Sequence, residues 1–395
     1  MAARIRARCD KLTKPRILIL SPYFLPSRLG GGSVRALVNL VDHLRQDFDF
    51  VIAASKHDLH TSLPYAEALQ QQTREATGLD IRYLPRGLCL WGILRTLLSE
   101  RWDLIYLNSF LSARYTALPL LLRRLQRRNQ TPALLAPRGE LLGGSLQHRR
   151  RSKLAYLGLM RHSGILTRLG FHATSPEEAA VLEAFGLRPV LESPDLPPLL
   201  AGALAAPQSL PLGVLRMVFL SRIDPTKNLC FALRTLALVQ APLQFDIVGP
   251  IGNADYWSQC QRLIAALPAH VQVRYLGAVV PEQVMQTFSR YELFFFPSRS
   301  ENNGYVILEA LLGGCALLLS DRTPWRDLAA LGVGQDLPLD AEQQFSSVID
   351  AFATTPEPLR LAQRRRAQAY GVERLTAQHD VESMRALLLH AIAGV

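Results

Sequence analysis

The sequence has few cysteines, and they form no recognisable set. Five occur among 395 residues, an odd number, and none belongs to a CxxC pair or has a histidine close by. A disulfide framework and a zinc ribbon both need paired, regularly spaced cysteines, so neither is predicted. Scattered thiols are typical of a reducing compartment. We therefore expect these cysteines to be reduced: Cys9, Cys89, Cys230, Cys260 and Cys315.

Long apolar runs are also missing. Charged residues interrupt the most apolar stretches, as Glu309 does after Gly304, so none reaches the roughly eighteen residues of a spanning helix. The basic start MAARIRARCDKLTKPR is followed only by ILIL, which is too short for the apolar part of a secretory signal. These absences predict a cytoplasmic protein.

Several common catalytic motifs are absent as well. The sequence contains no HExxH, GxSxG, GxGxxG or P-loop pattern. Metalloprotease, hydrolase, dinucleotide-dependent and P-loop kinase chemistry therefore lack their usual motifs. Four histidines are isolated in the sequence, and we interpret each as an ordinary surface or core residue rather than a ligand: His57, His60, His148 and His172.

Charge is distributed unevenly along the chain. The net charge of +11 resides in residues 1–200, which hold 28 basic and 16 acidic side chains, whereas residues 201–395 hold 16 and 17. Two basic clusters lie on predicted helices of the first half. They suit an anionic membrane surface, although a solvated helix face explains them equally well, and nucleic acid is not expected as a partner. The clusters are Arg123, Arg124, Arg127 and Arg128, then Arg149, Arg150, Arg151 and Lys153, the latter beside apolar Leu154, Leu157 and Met160.

Short apolar strands and helices alternate twice along the chain. The first series begins with RILILSPYF, a glycine-rich loop and VRALVNLVDHLR, and the second begins with LRMVFLSRI. Residues 193–213 between them carry five prolines and read as a linker. The pattern predicts an α/β fold with two doubly wound parallel sheets, whose strand ends face a cleft. We predict domains over 1–200 and 201–375, followed by a C-terminal helix over 376–395.

One segment of the second half combines two carboxylates with a helix start. In SRSENNGYVILEALLGG, Glu301 and Glu309 are eight positions apart, and Gly313 and Gly314 end the apolar helix between them. Phosphate is favoured at a helix N-terminus, and a nearby carboxylate can accept hydrogen bonds from sugar hydroxyls. The spacing indicates a nucleotide-sugar site. The alternative is a pair of solvated helix-edge glutamates. Asn302, Asn303 and Gly304 should lie at the helix N-terminus.

Two cations precede this segment in SRIDPTKN. Arg222 follows a predicted strand, and Lys227 lies in a loop that should open a helix near Asn228. Together they can neutralise a departing diphosphate, although a lone pair of loop cations can also be merely solvated. In FDIVGPIGNADYW, Gly249 and Gly252 form a tight turn near the same sheet edge.

The first half supplies further loops at strand ends. Gly30, Gly31 and Gly32 precede a helix and permit close approach of the backbone to a phosphate or an acceptor, or form a flexible turn. In APRGE, Arg138 and Glu140 follow another strand. We expect Arg138 to contact the bound nucleotide sugar, a phosphate or an anionic acceptor. We expect Glu140 to act as a structural cap.

The Glu, seven residues, Glu pattern and SRIDPTKN resemble the retaining GT-B glycosyltransferases of family 4. The resemblance implies that the first domain binds the acceptor, the second binds the nucleotide sugar, and the last helix packs back on the first domain. It assigns Glu301 to the donor-sugar hydroxyls, Glu309 to the ribose, and Arg222 with Lys227 to the diphosphate. Three positions depart from the common family pattern: Arg138 replaces His, Asp195 replaces Asn in Pro-Asn-Gly, and Asn303 replaces Phe.

The resemblance leads to a predicted reaction and to a set of predicted site residues. We predict a metal-independent transfer with retention from a UDP-sugar or GDP-sugar to a glycan or lipid-linked acceptor at the inner face of the plasma membrane, without a cofactor. Asp47 and Asp49 have Asp-x-Asp spacing, but acidic turn residues need no metal to explain them.

The alternatives to a glycosyltransferase are a nucleotide-sugar epimerase and a noncatalytic sugar-binding or membrane-adaptor protein. The predicted catalytic residues are Arg222, Lys227, Glu301 and Arg138, and the predicted donor-binding residues are Gly31, Gly32, Gly249, Asn303, Gly304, Tyr305 and Glu309.

Overall fold

The chain divides into two structural units, and the C-terminal helix belongs to the first of them. The computed structural model describes residues 14–27, 29–59, 61–85, 89–125, 131–143, 150–200, 202–210, 214–375 and 378–394. The first unit comprises residues 1–199 and 378–395, and the second comprises residues 200–377. Within the described residues, no helix is long and apolar enough to cross a membrane.

The first unit is built on a seven-stranded sheet in which the strands pair in parallel, in the order β3-β2-β1-β4-β5-β6-β7. Its strands are β1 Arg16–Ser21, β2 Asp49–Ser55, β3 Asp80–Leu84, β4 Leu104–Asn108, β5 Ala133–Ala136, β6 Leu169–Ala173 and β7 Val190–Glu192. Its helices are α1 Gly32–Leu44, α2 Glu67–Thr77, α3 Cys89–Ser99, α4 Leu118–Leu125, α5 Arg150–His162, α6 Pro176–Ala184 and α14 Gln378–Gly394. A π-helical turn, Ala113–Ala117, directly precedes α4.

Helices cover both faces of this sheet, which explains why the central strands are apolar on both sides over most of their length. In β1, Ile17 and Ile19 point into one core while Leu18 and Leu20 point into the other. Successive strand residues face opposite sides, so a sheet covered on both sides needs continuous apolar runs. The last helix, α14, completes the first of these cores with its buried apolar residues Met384, Leu387, Leu388 and Ala391.

The second unit contains a six-stranded sheet whose strands also pair in parallel, in the order β10-β9-β8-β11-β12-β13. Its strands are β8 Leu215–Leu220, β9 Leu243–Val248, β10 Val271–Gly277, β11 Leu293–Phe296, β12 Ala316–Ser320 and β13 Gly334–Leu337. Its helices are α7 Leu229–Leu236, α8 Ala254–Ala265, α9 Val284–Phe288, α10 Tyr305–Leu312, α11 Leu328–Leu331, α12 Glu342–Thr354 and α13 Glu357–Leu375.

The structure confirms the predicted α/β class and adds two strands that the apolar pattern does not reveal. Strand β7 is only three residues long and partly exposed. Strand β13 has the sequence GQDL, which has little apolar character. Both lie at an edge of their sheet, where one neighbouring strand suffices and continuous apolar residues are not required.

The proline-rich linker is attached at both ends by hydrogen bonds to its backbone. The Asn39 side-chain amide donates to the Leu196 carbonyl at 2.8 Å, and Leu196 is buried in the first unit. In the second unit, the buried Arg364 guanidinium donates to the carbonyls of Gln208 at 2.6 Å and Gly314 at 2.9 Å. These side-chain donors hold the irregular segment in place at both of its ends.

Candidate functional site

The predicted donor-site residues of the second half lie at the carboxyl ends of neighbouring strands. Arg222 and Lys227 follow β8, Gly249 follows β9, and Glu301 follows β11. Strand β8 pairs with both β9 and β11, so the three loops emerge side by side at one sheet edge. This edge is where open parallel α/β sheets bind their ligands.

The structure brings Lys227 and Glu301 into an ion pair. The Lys227 ammonium donates to Glu301 Oε1, which also accepts from the Ser298 hydroxyl at 3.0 Å. The Lys227 ammonium also lies 5.6 Å from the centroid of the Phe296 ring. The side chains of Lys227 and Glu301 are 19% and 10% exposed, so the pair is largely screened from water. Such a pair holds both charged groups in fixed positions.

Asp224 organises both predicted diphosphate-binding cations. Its Oδ2 accepts from Arg222 Nε at 2.7 Å. Its Oδ1 accepts the backbone N–H of Thr226 at 2.8 Å and of Lys227 at 3.3 Å. The sequence patterns do not single out Asp224, although an Asp before a Pro is a turn signal that could have indicated it.

Both glycines of the loop after β9 are required by packing. A Cβ on Gly249, which has φ +141°, would lie 1.9 Å from the Ser221 carbonyl oxygen. A Cβ on Gly252 would lie 2.7 Å from the side-chain carbons of Arg222. Gly252 thus makes room for Arg222, while the predicted contact of Gly249 with the nucleotide stays a prediction.

Helix α10 begins where the sequence predicts. Gly304 is its N-cap residue at φ +73°, and Gly313 and Gly314 end it. The Asn303 carbonyl accepts from Trp325 Nε1 at 2.8 Å, which fixes the loop before the helix. Tyr305 and Glu309 are each 9% exposed on the helix itself. Their donor contacts stay predictions.

In the first unit, the Arg138 side chain belongs to a buried network of hydrogen bonds. Its Nε donates to Asn108 Oδ1 at 2.8 Å, its Nη2 donates to the Tyr106 hydroxyl at 2.9 Å, and its Nη1 pairs with Asp195. The Arg138 and Asp195 side chains are only 6% and 5% exposed. This arrangement gives Arg138 an internal positioning role, and its predicted contact with donor or acceptor stays a prediction.

His172 extends the same network. Its Nε2 lies 2.8 Å from the Ser193 carbonyl oxygen and its Nδ1 lies 2.8 Å from the Tyr106 hydroxyl. Because a carbonyl can only accept, Nε2 carries the proton and Nδ1 accepts from Tyr106. Burial, assisted by the charge of Arg138, lowers the pKa of His172 to about 3. His172 is therefore a neutral core histidine.

Glu140 has the structural role that the sequence suggests. Its carboxylate accepts from the Ser109 hydroxyl at 2.7 Å and from the backbone N–H groups of Phe110 at 2.7 Å and Leu111 at 2.8 Å. Burial raises the pKa of the Glu140 carboxyl, although these hydrogen bonds act to lower it. The contacts fix the loop after β4, next to the π-helical turn.

A cavity of about 340 Å³ opens beside this loop within the first unit. Its lining comes from the last residues of β2 and β3 and from the segments that follow β1 and β4, so sequence spacing could not reveal it. The glycine-rich loop is adjacent, because a Cβ on Gly30 would lie 3.1 Å from the Cβ of Tyr23. Gly31 has φ +60° and is the N-cap of α1, and Gly32 is its first residue. Lining residues include Tyr23, Ser55, Leu84, Ser112, Arg114 and Tyr115.

The predicted basic surface needs one correction. Arg123 is 6% exposed, and its guanidinium donates to the carbonyls of Thr131 at 2.7 Å and Arg168 at 2.8 Å. It is a structural residue rather than part of a binding surface, because its buried guanidinium is used in these hydrogen bonds to the backbone. Arg124, Arg150 and Arg151 are exposed, whereas Arg127, Arg128 and Arg149 lie outside the described residues.

The two acidic residues with Asp-x-Asp spacing each have an arginine partner. Asp47 Oδ2 accepts from Arg385 at 3.0 Å, and Asp49 Oδ2 accepts from Arg16 at 2.8 Å. Over the part of the chain that the structure describes, no group of three or more His, Cys, Asp or Glu residues is placed to hold a metal. Metal independence stays a prediction.

Comparison with solved structures identifies the fold. HepE of Anabaena, solved with UDP and glucose, has a TM-score of 0.71 at 16% identity over 95% of this chain and 100% of that one. WaaG, a glycosyltransferase involved in lipopolysaccharide biosynthesis, has a TM-score of 0.61 at 12% identity over 94% and 98%. Sucrose-phosphate synthase of Thermosynechococcus elongatus has 0.66 at 16% over 96% and 100%. The chain therefore has the GT-B fold of glycosyltransferases.

The family comparison concerns the second unit. Residues 205–370 match the family model described as glycosyl transferases group 1. This range contains the ion pair, Asp224 and helix α10. No curated protein matches the sequence.

Proposed function

We propose that this protein is a retaining, metal-independent glycosyltransferase that moves a sugar from a UDP-sugar or GDP-sugar to a glycan or lipid-linked acceptor. Its product would belong to a polysaccharide or cell-surface glycan. The observation that carries the proposal is the Lys227–Glu301 pair, which Asp224 links to Arg222, at the sheet edge where such folds bind nucleotides. The match of residues 205–370 to group 1 glycosyltransferases and the UDP and glucose bound in HepE support it.

On the donor side, Arg222 and Lys227 bind the diphosphate, and Asp224 holds both loop segments in place. The charge on the leaving diphosphate grows in the transition state, so cations fixed beforehand stabilise it with little reorganisation. Glu301 accepts hydrogen bonds from the sugar hydroxyls, and Glu309 accepts them from the ribose. The N-terminus of α10 adds its dipole to the charge on the phosphates.

The transfer needs no nucleophile from the protein. The acceptor hydroxyl attacks the anomeric carbon on the face from which the diphosphate departs. A new C–O bond forms as the bond to the β-phosphate oxygen breaks, and that oxygen takes the proton of the hydroxyl. The anomeric configuration is therefore retained. Arg222 and Lys227 supply the positive charge that a divalent metal supplies elsewhere.

The first unit provides the acceptor site. The cavity beside the 109–111 loop offers hydroxyls from Ser55, Ser112 and Tyr23 together with the exposed Arg114 cation. This mixture suits a hydroxylated acceptor that also carries negative charge. Glu140 and the Arg138 network act as the rigid support of the loops that form it.

A membrane surface at the cytoplasmic face is the second partner. Three helices that share one core of the first unit, α3, α4 and α5, carry exposed apolar side chains on their outer sides. The same three helices carry exposed arginines, and apolar anchors combined with cations favour anionic lipid. The apolar residues are Trp91, Leu98, Leu121, Leu125, Leu154 and Leu159, and the cations are Arg95, Arg124, Arg150, Arg151 and Arg161.

A transfer assay tests the proposal against its alternatives. Purified protein is incubated with UDP-sugars and GDP-sugars, with and without a panel of glycan and lipid-linked acceptors, in the presence of a chelator. We expect acceptor-dependent release of nucleoside diphosphate and, by NMR, an α-linked product from an α-linked donor. An isomeric nucleotide sugar formed without acceptor would identify an epimerase, and binding without turnover would identify a noncatalytic protein. A β-linked product, or activity restored only by magnesium or manganese, would overturn the mechanism.

A further inference from the structure

Cys230 and Cys260 form a close pair of thiols within the second unit. Cys230 lies in the first turn of α7 and Cys260 lies on α8, and their Sγ atoms are 3.4 Å apart. Cys230 is 9% exposed and Cys260 is fully buried. Thirty positions separate them in the sequence, and the packing of α7 against α8 brings them together.

The surroundings make the two thiols unequal. The pKa of the Cys230 thiol is lowered, first because Cys260 can donate to its thiolate, and further by Tyr256, Arg234 and Arg299. The same hydrogen bond raises the pKa of Cys260. A thiolate beside a protonated thiol is the arrangement of an attacking cysteine and its resolving partner. Cys315 differs, because burial raises its pKa to about 12 and its Sγ contacts the Phe288 carbonyl at 3.1 Å.

The thiol pair is connected to both donor-site loops. Helix α7 follows the loop that carries Arg222 and Lys227, and α8 follows the loop of Gly249 and Gly252. The loops are joined at Ile223, whose N–H donates to Pro250 O at 2.9 Å and whose carbonyl accepts from Gly252 N–H at 3.0 Å. The Cys230 N–H donates to the Tyr256 hydroxyl of α8 at 2.8 Å. A movement between the helices is therefore transmitted to the loops.

We propose that Cys230 and Cys260 are a reversible oxidation site, at which a peroxide converts the two thiols to a disulfide and weakens diphosphate binding at the adjoining loops. The Cys230 thiolate attacks hydrogen peroxide, so an S–O bond forms, the O–O bond breaks and hydroxide leaves. The Cys260 thiol then attacks the Cys230 sulfur, and the S–O oxygen departs as water. In total, two thiols and one peroxide give one disulfide and two waters. Cys260 is the resolving thiol.

Formation of the disulfide requires the two sulfurs to move towards each other. An S–S bond is about 2.05 Å long, so the sulfurs must approach each other by about 1.4 Å from their 3.4 Å separation. Misplacement of binding groups by about 1 Å is enough to cost a large factor in a preorganised site. The effect on diphosphate binding rests on the proposed function, whereas the disulfide itself does not.

Mass spectrometry tests the oxidation site directly. The Cys9→Ser, Cys89→Ser variant of the full chain is treated with hydrogen peroxide and digested without reduction. We expect a peptide that links Cys230 to Cys260 and disappears with dithiothreitol. It should persist in Cys315→Ser and be absent from Cys230→Ser and Cys260→Ser. Untreated wild-type protein should also bind one equivalent of phenylarsine oxide, which bridges two adjacent thiols. Absence of the linked peptide in the treated protein would overturn the proposal.

Ligand titrations then test the coupling. UDP and GDP are titrated into the reduced and the oxidised forms, and we expect the better of the two ligands to bind the oxidised form about tenfold more weakly. By reciprocity, saturating ligand should raise the reduction potential of the pair by about 30 mV, measured in dithiothreitol buffers. Equal affinity for both forms would overturn the coupling. Binding of neither nucleotide to the reduced form would instead contradict the proposed function, while the linked peptide would still decide the oxidation site.

Discussion

The Lys227 ammonium donates to the Glu301 carboxylate and so joins the loop after β8 to the loop after β11. Two groups that the family resemblance assigns to different parts of the donor, the diphosphate and the sugar, are thus direct partners. Because the two side chains are proposed to contact different parts of the donor, their substitutions should have distinguishable effects on binding and on turnover.

Lys227→Ala should lower kcat/KM for transfer about a hundredfold, which corresponds to about 3 kcal/mol of transition-state stabilisation. The reason is the loss of one fixed cation beside the leaving diphosphate. Steady-state kinetics measure the change, and circular dichroism checks the fold. Arg262→Ala, which removes an exposed cation from α8, is the matched control and should leave kcat/KM unchanged. Near-normal turnover of the Lys227 variant would reject its placement at the diphosphate.

Glu301→Gln should separate sugar binding from diphosphate binding. The variant loses the carboxylate that accepts from the sugar hydroxyls, while Lys227 loses its counter-charge and keeps its own charge for the diphosphate. Calorimetric titration should therefore show weaker binding of the intact nucleotide sugar, and equal or tighter binding of free nucleoside diphosphate. Equal losses for both ligands would contradict the division of roles between Glu301 and Lys227.

Arg138→Met should destabilise the protein by about 3–5 kcal/mol, because it leaves the Asp195 carboxylate buried without its partner. Urea unfolding measures the free energy of unfolding. Arg188→Met provides the control, since Arg188 and Glu183 are 3.9 Å apart with side chains 69% and 53% exposed, and exposed pairs contribute little. A similar loss of unfolding free energy in the two variants would show that the buried Arg138–Asp195 pair contributes no more to stability than an exposed pair does.

His172 should make stability depend on pH. Its folded-state pKa of about 3 lies below the value of about 6.5 expected in the unfolded chain. The unfolded state therefore binds a proton first, and stability is lost as pH falls from 6.5 towards 3. At pH 5 the loss from this residue should be about 2 kcal/mol.

Urea unfolding of wild type and His172→Gln at pH 7 and pH 5 isolates this contribution. The glutamine amide can still donate to the Ser193 carbonyl but does not titrate. The difference between the two pH values should shrink by about 2 kcal/mol in the variant. An unchanged difference would mean that His172 is not held neutral in the folded protein.

The outer side of α3, α4 and α5 should bind anionic vesicles. Retention on phosphatidylglycerol vesicles should fall as ionic strength rises, because the Debye length shortens, and neutral vesicles should retain less protein. Trp91→Ser with Leu125→Ser should weaken binding through loss of the apolar anchors. Leu359→Ser is the control, since Leu359 is comparably exposed at 61% but lies on α13 of the second unit. If both changes weakened vesicle binding equally, the outer side of α3, α4 and α5 would not be the membrane-binding surface.

Much of the architecture could be read from local sequence patterns. Continuous apolar runs such as ILIL and LFFF indicate parallel strands covered on both faces, because alternate residues must fill opposite cores. Gly304 before α10 and Gly313 after it indicate its bounds, since helix ends have strong residue preferences. Short-range sterics determine such features, and a single segment contains all the information needed.

Which side chains meet in the site depends on contacts between segments that are far apart in the sequence. Glu301 is separated from Lys227 by 74 positions, and Asp195 from Arg138 by 57, so only the order of the strands brings them together. Burial is also a tertiary property: it makes Arg123 structural and leaves Arg124 exposed, although the two are adjacent in the same basic run. The sequence by itself determined most of the helices and strands, the glycine turns and the residue types at the strand ends, but not the edge strands β7 and β13. The tertiary structure alone decided which charges pair and which thiols meet, because these contacts form across strands and helices that are distant along the chain.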